Sequence, residues 1–144
     1  MRGFSLIEVM IALAILLVLA VLAYPSYADS VRRTKRAEGQ MALVEAMDGQ
    51  VRYYSEHRAY KAFSASDADL AGFRWWSGGT AAHSAYELDA YPCAGQSAGE
   101  CIELRARPGT DRVDGKFRDP ECGVLTLDSV GRQTASGAAP GCWP

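Results

Sequence analysis

Three sets of residues in this chain could do chemistry. The first is a single acid: Glu8 is the only charged residue between Phe4 and Tyr24, in an otherwise apolar run. A carboxylate near one end of such a run costs on the order of 1–3 kcal/mol to place in hydrocarbon, so it needs a partner. The second set is Cys93, Cys101, Cys122 and Cys142. Their spacing fits no common zinc pattern and only His57 and His83 could add imidazoles, so neither metal nor other cofactor is expected. They read as disulfides, which form in oxidising compartments. The third set is basic: Arg105, Arg107, Arg112, Lys116 and Arg118, interrupted by Asp111 and Asp114. Such a cluster is either a solvated strand-and-loop face, the plainer reading, or a contact for nucleic-acid phosphates. No serine or cysteine nucleophile motif and no Walker-type phosphate loop occurs, so enzyme activity is not expected.

The elements that must position these groups follow from periodicity. As a helix, residues 4–24 would extend about 30 Å at ~1.5 Å per residue, the thickness of a bilayer's hydrocarbon core. The run is too long, and begins too early, for a cleaved secretory signal. Pro25 follows it and predicts a kink rather than an end. Residues 25–57 continue as an amphipathic helix. Met41, Val44, Met47, Val51 and Tyr54 recur at three- and four-residue steps, with Glu45, Asp48, Gln50 and Arg52 between them. That stripe is expected to cover a sheet, and Gly39 and Gly49 to weaken the helix by up to ~1 kcal/mol each.

Residues 58–144 would be the globular region. An irregular loop over 58–85 carries Trp75 and Trp76, at least one of them expected to pack on the core. Tyr86–Tyr91 and Ile102–Arg107 alternate apolar with polar as half-buried strands do; Val124–Asp128 is a third strand, and Arg132–Thr134 a short fourth after Gly131. A helix first and antiparallel strands after it make an α+β fold.

Charge adds little. The formal net charge is −2, and 14 of the 15 Lys/Arg and 16 of the 17 Asp/Glu lie beyond the apolar run, so no overall basic field advertises nucleic acid. Arg32, Arg33, Lys35 and Arg36 would spread around the helix and could meet lipid headgroups or acidic neighbours. Set against Arg2 alone, they would keep the C-terminal region in the cytoplasm by the positive-inside rule.

The stretch Gly3-Phe4-Ser5-Leu6-Ile7-Glu8, opening an unbroken apolar run, resembles the processing site of the type IV pilins. The resemblance implies a leader over residues 1–3, shorter and less basic than is usual, cut by a prepilin peptidase between Gly3 and Phe4. Phe4 would then be N-methylated. It also implies that Glu8 acts in assembly. Cutting exposes an amine at Phe4 one helical turn from Glu8, and two such charges in an apolar bundle are tolerable mainly as a pair. Tyr24-Pro25-Ser26-Tyr27, Lys35-Arg36-Ala37-Glu38-Gly39-Gln40 and Arg52-Tyr53-Tyr54 are similar to phrases of minor pilins in particular. So is Cys122-Gly123-Val124-Leu125-Thr126-Leu127 with Cys142-Trp143.

A pilin fold is therefore expected: a long N-terminal helix, membrane-spanning in its first half, packed on an antiparallel sheet of three or four strands with a disulfide-stapled C-terminal region. Four cysteines allow three pairings. We take Cys93–Cys101, closing the link between two strands, and Cys122–Cys142, which resembles the C-terminal disulfide loop of pilins. The implied partners are other pilins, the peptidase and an inner-membrane assembly platform. The implied location is the inner membrane, with a periplasmic C-terminal domain, and then the cell-surface pilus; we follow this and the cysteines over the charge count. The implied work is pilus biogenesis, twitching motility, adhesion or DNA uptake. The alternatives are a DNA-binding competence minor pilin, for which Arg105, Arg107, Arg112, Lys116 and Arg118 are the candidate contacts, a pseudopilin of type II secretion, and a plain membrane-anchored sensor.

Overall fold

The computed structural model describes residues 5–144, which divide into two units: one ends at Thr34 and the other runs from Lys35 to Pro144. One helix, α1 (Leu6–His57), contributes to both and contains Pro25. It opens with half of a capping box: the Glu8 carboxylate accepts the Ser5 amide at 3.4 Å, while the Ser5 carbonyl accepts the amides of Glu8 and Val9. It closes on Arg58, whose φ of 57° is in the left-handed region and whose amide bonds the Tyr54 carbonyl at 2.8 Å.

Among the described residues of the first unit the large apolar side chains are exposed. Leu17 is 68% exposed and Val21 73%, and Leu6 through Tyr27 are similar. The segment is a helix by its own composition, with its burial left to be supplied from outside the chain.

The second unit is a helix on a sheet. Four strands follow each other in antiparallel order: β1 (Tyr86–Pro92), β2 (Ile102–Pro108), β3 (Leu125–Asp128) and β4 (Gln133–Ala135). Their alternation sends Tyr86, Leu88, Ala90, Leu104, Ala106, Leu125 and Leu127 into a core with Ala42 and Leu43 of α1. The 58–85 loop is irregular apart from a 3-10 turn at Ala81–His83. It touches β1 at two bridges, Phe63 with Ala90 and Trp76 with Glu87. Phe63 is a core residue, and Trp75 packs against the core.

Two expectations need correcting. The helix face on the sheet is not the Met41–Val44–Met47–Val51–Tyr54 stripe: Met41, Val44 and Val51 are 72%, 54% and 57% exposed, and only Met47 and Tyr54 are partly covered. The buried face is Arg36, Gly39, Ala42, Leu43 and Gln50. Close approach explains the choice, because a Cβ on Gly39 would stand 2.8 Å from the Tyr86 ring. Gln50 is tolerated there because its amide exchanges two hydrogen bonds with the Lys61 backbone, at 2.6 and 2.9 Å. Second, β1 is buried on both faces rather than one, since Glu87 and Asp89 are covered as well.

Two disulfides close the C-terminal region. Cys93–Cys101 spans the β1–β2 connection with Cα atoms 5.4 Å apart, and Cys122–Cys142 ties the tail to the approach of β3 at 5.5 Å.

Candidate functional site

At the N-terminus, Gly3 and Phe4 lie outside the described residues. Glu8 is exposed, and its carboxylate turns back to the Ser5 amide, toward the chain end.

The five candidate cations separate into two groups. Arg105 and Arg107 project from the outer face of β2, opposite Asp89 and Glu87 of β1. Arg107 bonds Glu87 Oε1 at 2.9 Å, and its Nε lies 2.8 Å from Asp89 Oδ2 without the alignment of a hydrogen bond. Arg105 bonds Glu103 at 2.7 Å and lies over the Tyr91 ring, 5.5 Å from its centroid. Both charges are thus answered within the sheet. Burial pushes the Asp89 carboxyl above its usual range, against the pull of Arg107 and Arg105, and Asp89 Oδ1 has no hydrogen-bond partner among the described residues.

Arg112, Lys116 and Arg118 stand on the β2–β3 connection, and among the described residues none of them has a carboxylate in ion-pair reach. Arg58 is the other such cation between Lys35 and Pro144. The connection holds its shape through Val113, which is buried, and through the Asp114 amide, which bonds the Ser84 carbonyl at 2.9 Å. Arg118 Nη1 gathers the carbonyls of Gly109, Gly115 and Phe117. Gly109 must be glycine here: its φ is 59°, and a Cβ would run into the Phe117 carbonyl.

A further polar centre is not apparent from the sequence. Arg36 is no headgroup contact; it is buried and makes a bidentate pair with Asp119, at 2.8 and 2.7 Å, plus a bond to Glu121 at 2.7 Å. Tyr86 donates its hydroxyl to Asp119 at 2.7 Å, and the Cys122 amide adds a bond at 3.3 Å. Burial pushes the Asp119 carboxyl up, but the Arg36, Tyr86 and Cys122 bonds together outweigh it and hold the group below its usual range. Burial and the Asp119 charge push the Tyr86 phenol well up, and the Asp119 bond raises Arg36 against its own burial. The only sequence signal is spacing: Arg36, Gly39 and Leu43 fall on one helical face.

Two protein families match. The prokaryotic N-terminal methylation motif covers residues 1–24. The family described as type IV minor pilin ComP, DNA uptake sequence receptor, covers residues 25–126. The chain belongs to this minor-pilin family. One relative, the type IV major pilin protein PilA of Myxococcus xanthus (strain DK1622), is 36% identical over 63 residues; these are 44% of this chain and 29% of that protein, so the match spans less than a third of that relative's length. Two solved structures are similar. A type IV pilin from Shewanella oneidensis has 26% identity and a TM-score of 0.48, over 78% of this chain and 98% of that one. The non-core minor pilin PilV of Neisseria meningitidis has 19% identity and a TM-score of 0.49, over 78% and 94%.

The Arg36 clamp joins the helix to the segment before β3, next to the Cys122–Cys142 bridge, whereas the three loop cations meet only neutral oxygens or none among the described residues.

Proposed function

We propose that this minor pilin takes duplex DNA on the β2–β3 connection, with Arg112, Lys116 and Arg118 as phosphate contacts, and so serves DNA uptake by the pilus. The observation that carries the reading is the segregation of charge. Arg105, Arg107 and the helix's Lys35, Arg36 and Arg52 are all answered by carboxylates, whereas these three are not; Arg33 and Arg58 also lack one among the described residues, but only these three share one connection. The family description adds weight, since it names a DNA uptake sequence receptor. A band shift with the full chain in detergent micelles tests it. Binding should weaken steeply between about 50 and 200 mM salt, and removing one phosphate-bound cation should flatten the salt slope by ~0.9. A shift that is absent, or that salt and Lys116→Ala leave unchanged, would overturn it.

The same reading makes the chain a processed subunit. A prepilin peptidase removes residues 1–3 between Gly3 and Phe4, Phe4 is methylated, and residues 4–24 hold the protein in the inner membrane with 58–144 on the periplasmic side. Residues 25–57 carry the helix, at Pro25 kinked, into the globular region. The assembly platform then packs the apolar helix among those of other pilins, where Glu8 meets an N-terminal amine. The exposed apolar surface of Leu6–Tyr27 and the two disulfides support this order. A pseudopilin of type II secretion would share the leader and the helix. The family match over residues 25–126 favours the pilus, and deletion of the gene separates the two by loss of piliation or of secretion.

A further inference from the structure

A cleft of about 350 Å³ opens between α1 and the 58–85 loop, and it shares no residue with the β2–β3 connection. Leu88 and Ala42, both buried, lie at its bottom, and Tyr53, Phe73 and Trp76 are its aromatic lining. Two of these rings are already fixed. Phe73 stacks on the buried Phe63 with centroids 5.0 Å apart, and Tyr53 stacks on His57 at 3.9 Å. Gly49 lets Phe73 approach the helix, since a Cβ there would stand 3.0 Å from the ring. The lip across from the helix is a turn in which Ala71 and Gly72 have φ of 49° and 85°. Ala71 carries a Cβ, so the turn is strained; Asp69 Oδ1 holds its amide at 2.9 Å. Strain of this kind gathers at ligand sites.

Four charged side chains rim the cleft, and three of them are answered. Arg52 pairs with Asp48 at 3.0 Å, and Arg74 with Glu45 at 3.3 Å. Glu56 is exposed and has no ion pair among the described residues. Its position is an unfavourable one for an acid. Glu56 stands one residue before the end of α1, where the last carbonyls carry partial negative charge and a basic residue is favoured. Arg58, the free cation nearest in sequence, does not line the cleft. A cation from outside would answer both the carboxylate and the helix end, beside aromatic rings that also attract it. An aliphatic stem behind it would cover Leu88 and Ala46. The volume is at the low end for small-molecule sites, which suits a short stem rather than a ring system.

We infer that this cleft binds an ammonium group on a lysine-length aliphatic stem. Glu56 and the helix end take the charge, Tyr53 and Phe73 flank it, and Leu88 and Ala46 receive the stem. A free diamine and a lysine side chain of a partner protein carry the same chemistry. The site goes beyond the DNA reading and does not depend on it.

The test titrates the isotope-labelled full chain, in detergent micelles, with cadaverine, Nα-acetyl-lysine methylamide and Nα-acetyl-norleucine methylamide, the last having the stem without the ammonium. The amines should move the backbone amides of residues 52–56 and 71–74, and the norleucine probe should bind at least about 5-fold more weakly. Glu56→Gln should weaken the amines about 5-fold and leave the norleucine probe unchanged, and Glu56→Lys should abolish amine binding. Replacing Asp111, an exposed acid outside the cleft, by asparagine should change nothing. The urea midpoints of both Glu56 variants should equal that of wild type or exceed it, since the helix end loses an unfavourable charge. Cadaverine binding at least as tight as that of the lysine amide assigns a free amine, and tighter binding of the lysine amide assigns a partner's side chain. The site is wrong if neither amine moves these amides at about 50 mM, if the norleucine probe binds as well as they do, or if Glu56→Gln binds them as wild type does. Each of these results leaves the DNA band shift untouched.

Discussion

The two units of this chain invert each other. Through Thr34, apolar side chains face outward and the helix is uncovered; from Lys35 on, charged side chains lie in the interior. Arg36, Glu87, Asp89 and Asp119 are all buried, while Met41, Val44 and Val51 are left on the surface. The first unit is held as a helix by backbone bonds and composition, and gains its hydrophobic burial only in a membrane or among neighbouring helices. The second supplies its own partners, at the cost that each buried charge depends on a few specific side chains and amides. Damage should therefore spread differently in the two.

The largest stability effect is expected at the clamp. Arg36→Ala leaves the buried Asp119 charge without its cation, with only the Tyr86 hydroxyl and the Cys122 amide still donating to it, which should cost about 3–5 kcal/mol. Urea unfolding in micelles, followed by tyrosine and tryptophan fluorescence, would measure it, and a destabilisation under about 1 kcal/mol would mean that water replaces the guanidinium. Next come the bridges. Replacing Cys122 and Cys142 by serine should cost ~2–4 kcal/mol, and removing Cys93–Cys101 about 1 kcal/mol less, because its loop closes 8 residues against 20. Melting of the two double variants under the same conditions checks the order.

Acid should reveal two opposed titrations of smaller size. Asp119 is held low in the folded state, so its contribution is complete above the unfolded carboxyl's ~3.9 and is lost as pH falls through its depressed value. Asp89 is held high, so folding gains as pH falls from its raised value toward ~3.9 and loses as pH rises through that window. Asp119→Asn should remove the acid loss, and Asp89→Asn the drift above it, in denaturant midpoints taken across pH. The smallest effect on the folded unit is expected from Glu8→Leu. The midpoint of the second unit should not move, while incorporation into sheared pili should fall at least tenfold. Equal incorporation would remove Glu8 from assembly.

Much of this architecture could be read locally. Tyr86–Tyr91 and Ile102–Arg107 declare themselves by alternation, and the helix by its apolar run and its continuation to His57. The outward Met41–Val44–Val51 face shows where such reading fails. Amphipathic spacing says that one helix face is covered, but the largest apolar residues lost that place to Gly39 and Ala42, which let Tyr86 come close. Arg36 was legible only as one member of a basic cluster, because its answering acid is 83 positions away.

Sequence alone determined the elements, the lone acid Glu8 and the count of cysteines, since backbone propensity and hydrophobic period act over a turn or a strand. Tertiary structure alone decided which cations are free. Arg105 and Arg112 are indistinguishable in composition, and what separates them is the strand register that sets one among carboxylates and leaves the other on a loop. Coulomb energies depend on distance through space, and for these residues that distance is fixed by packing.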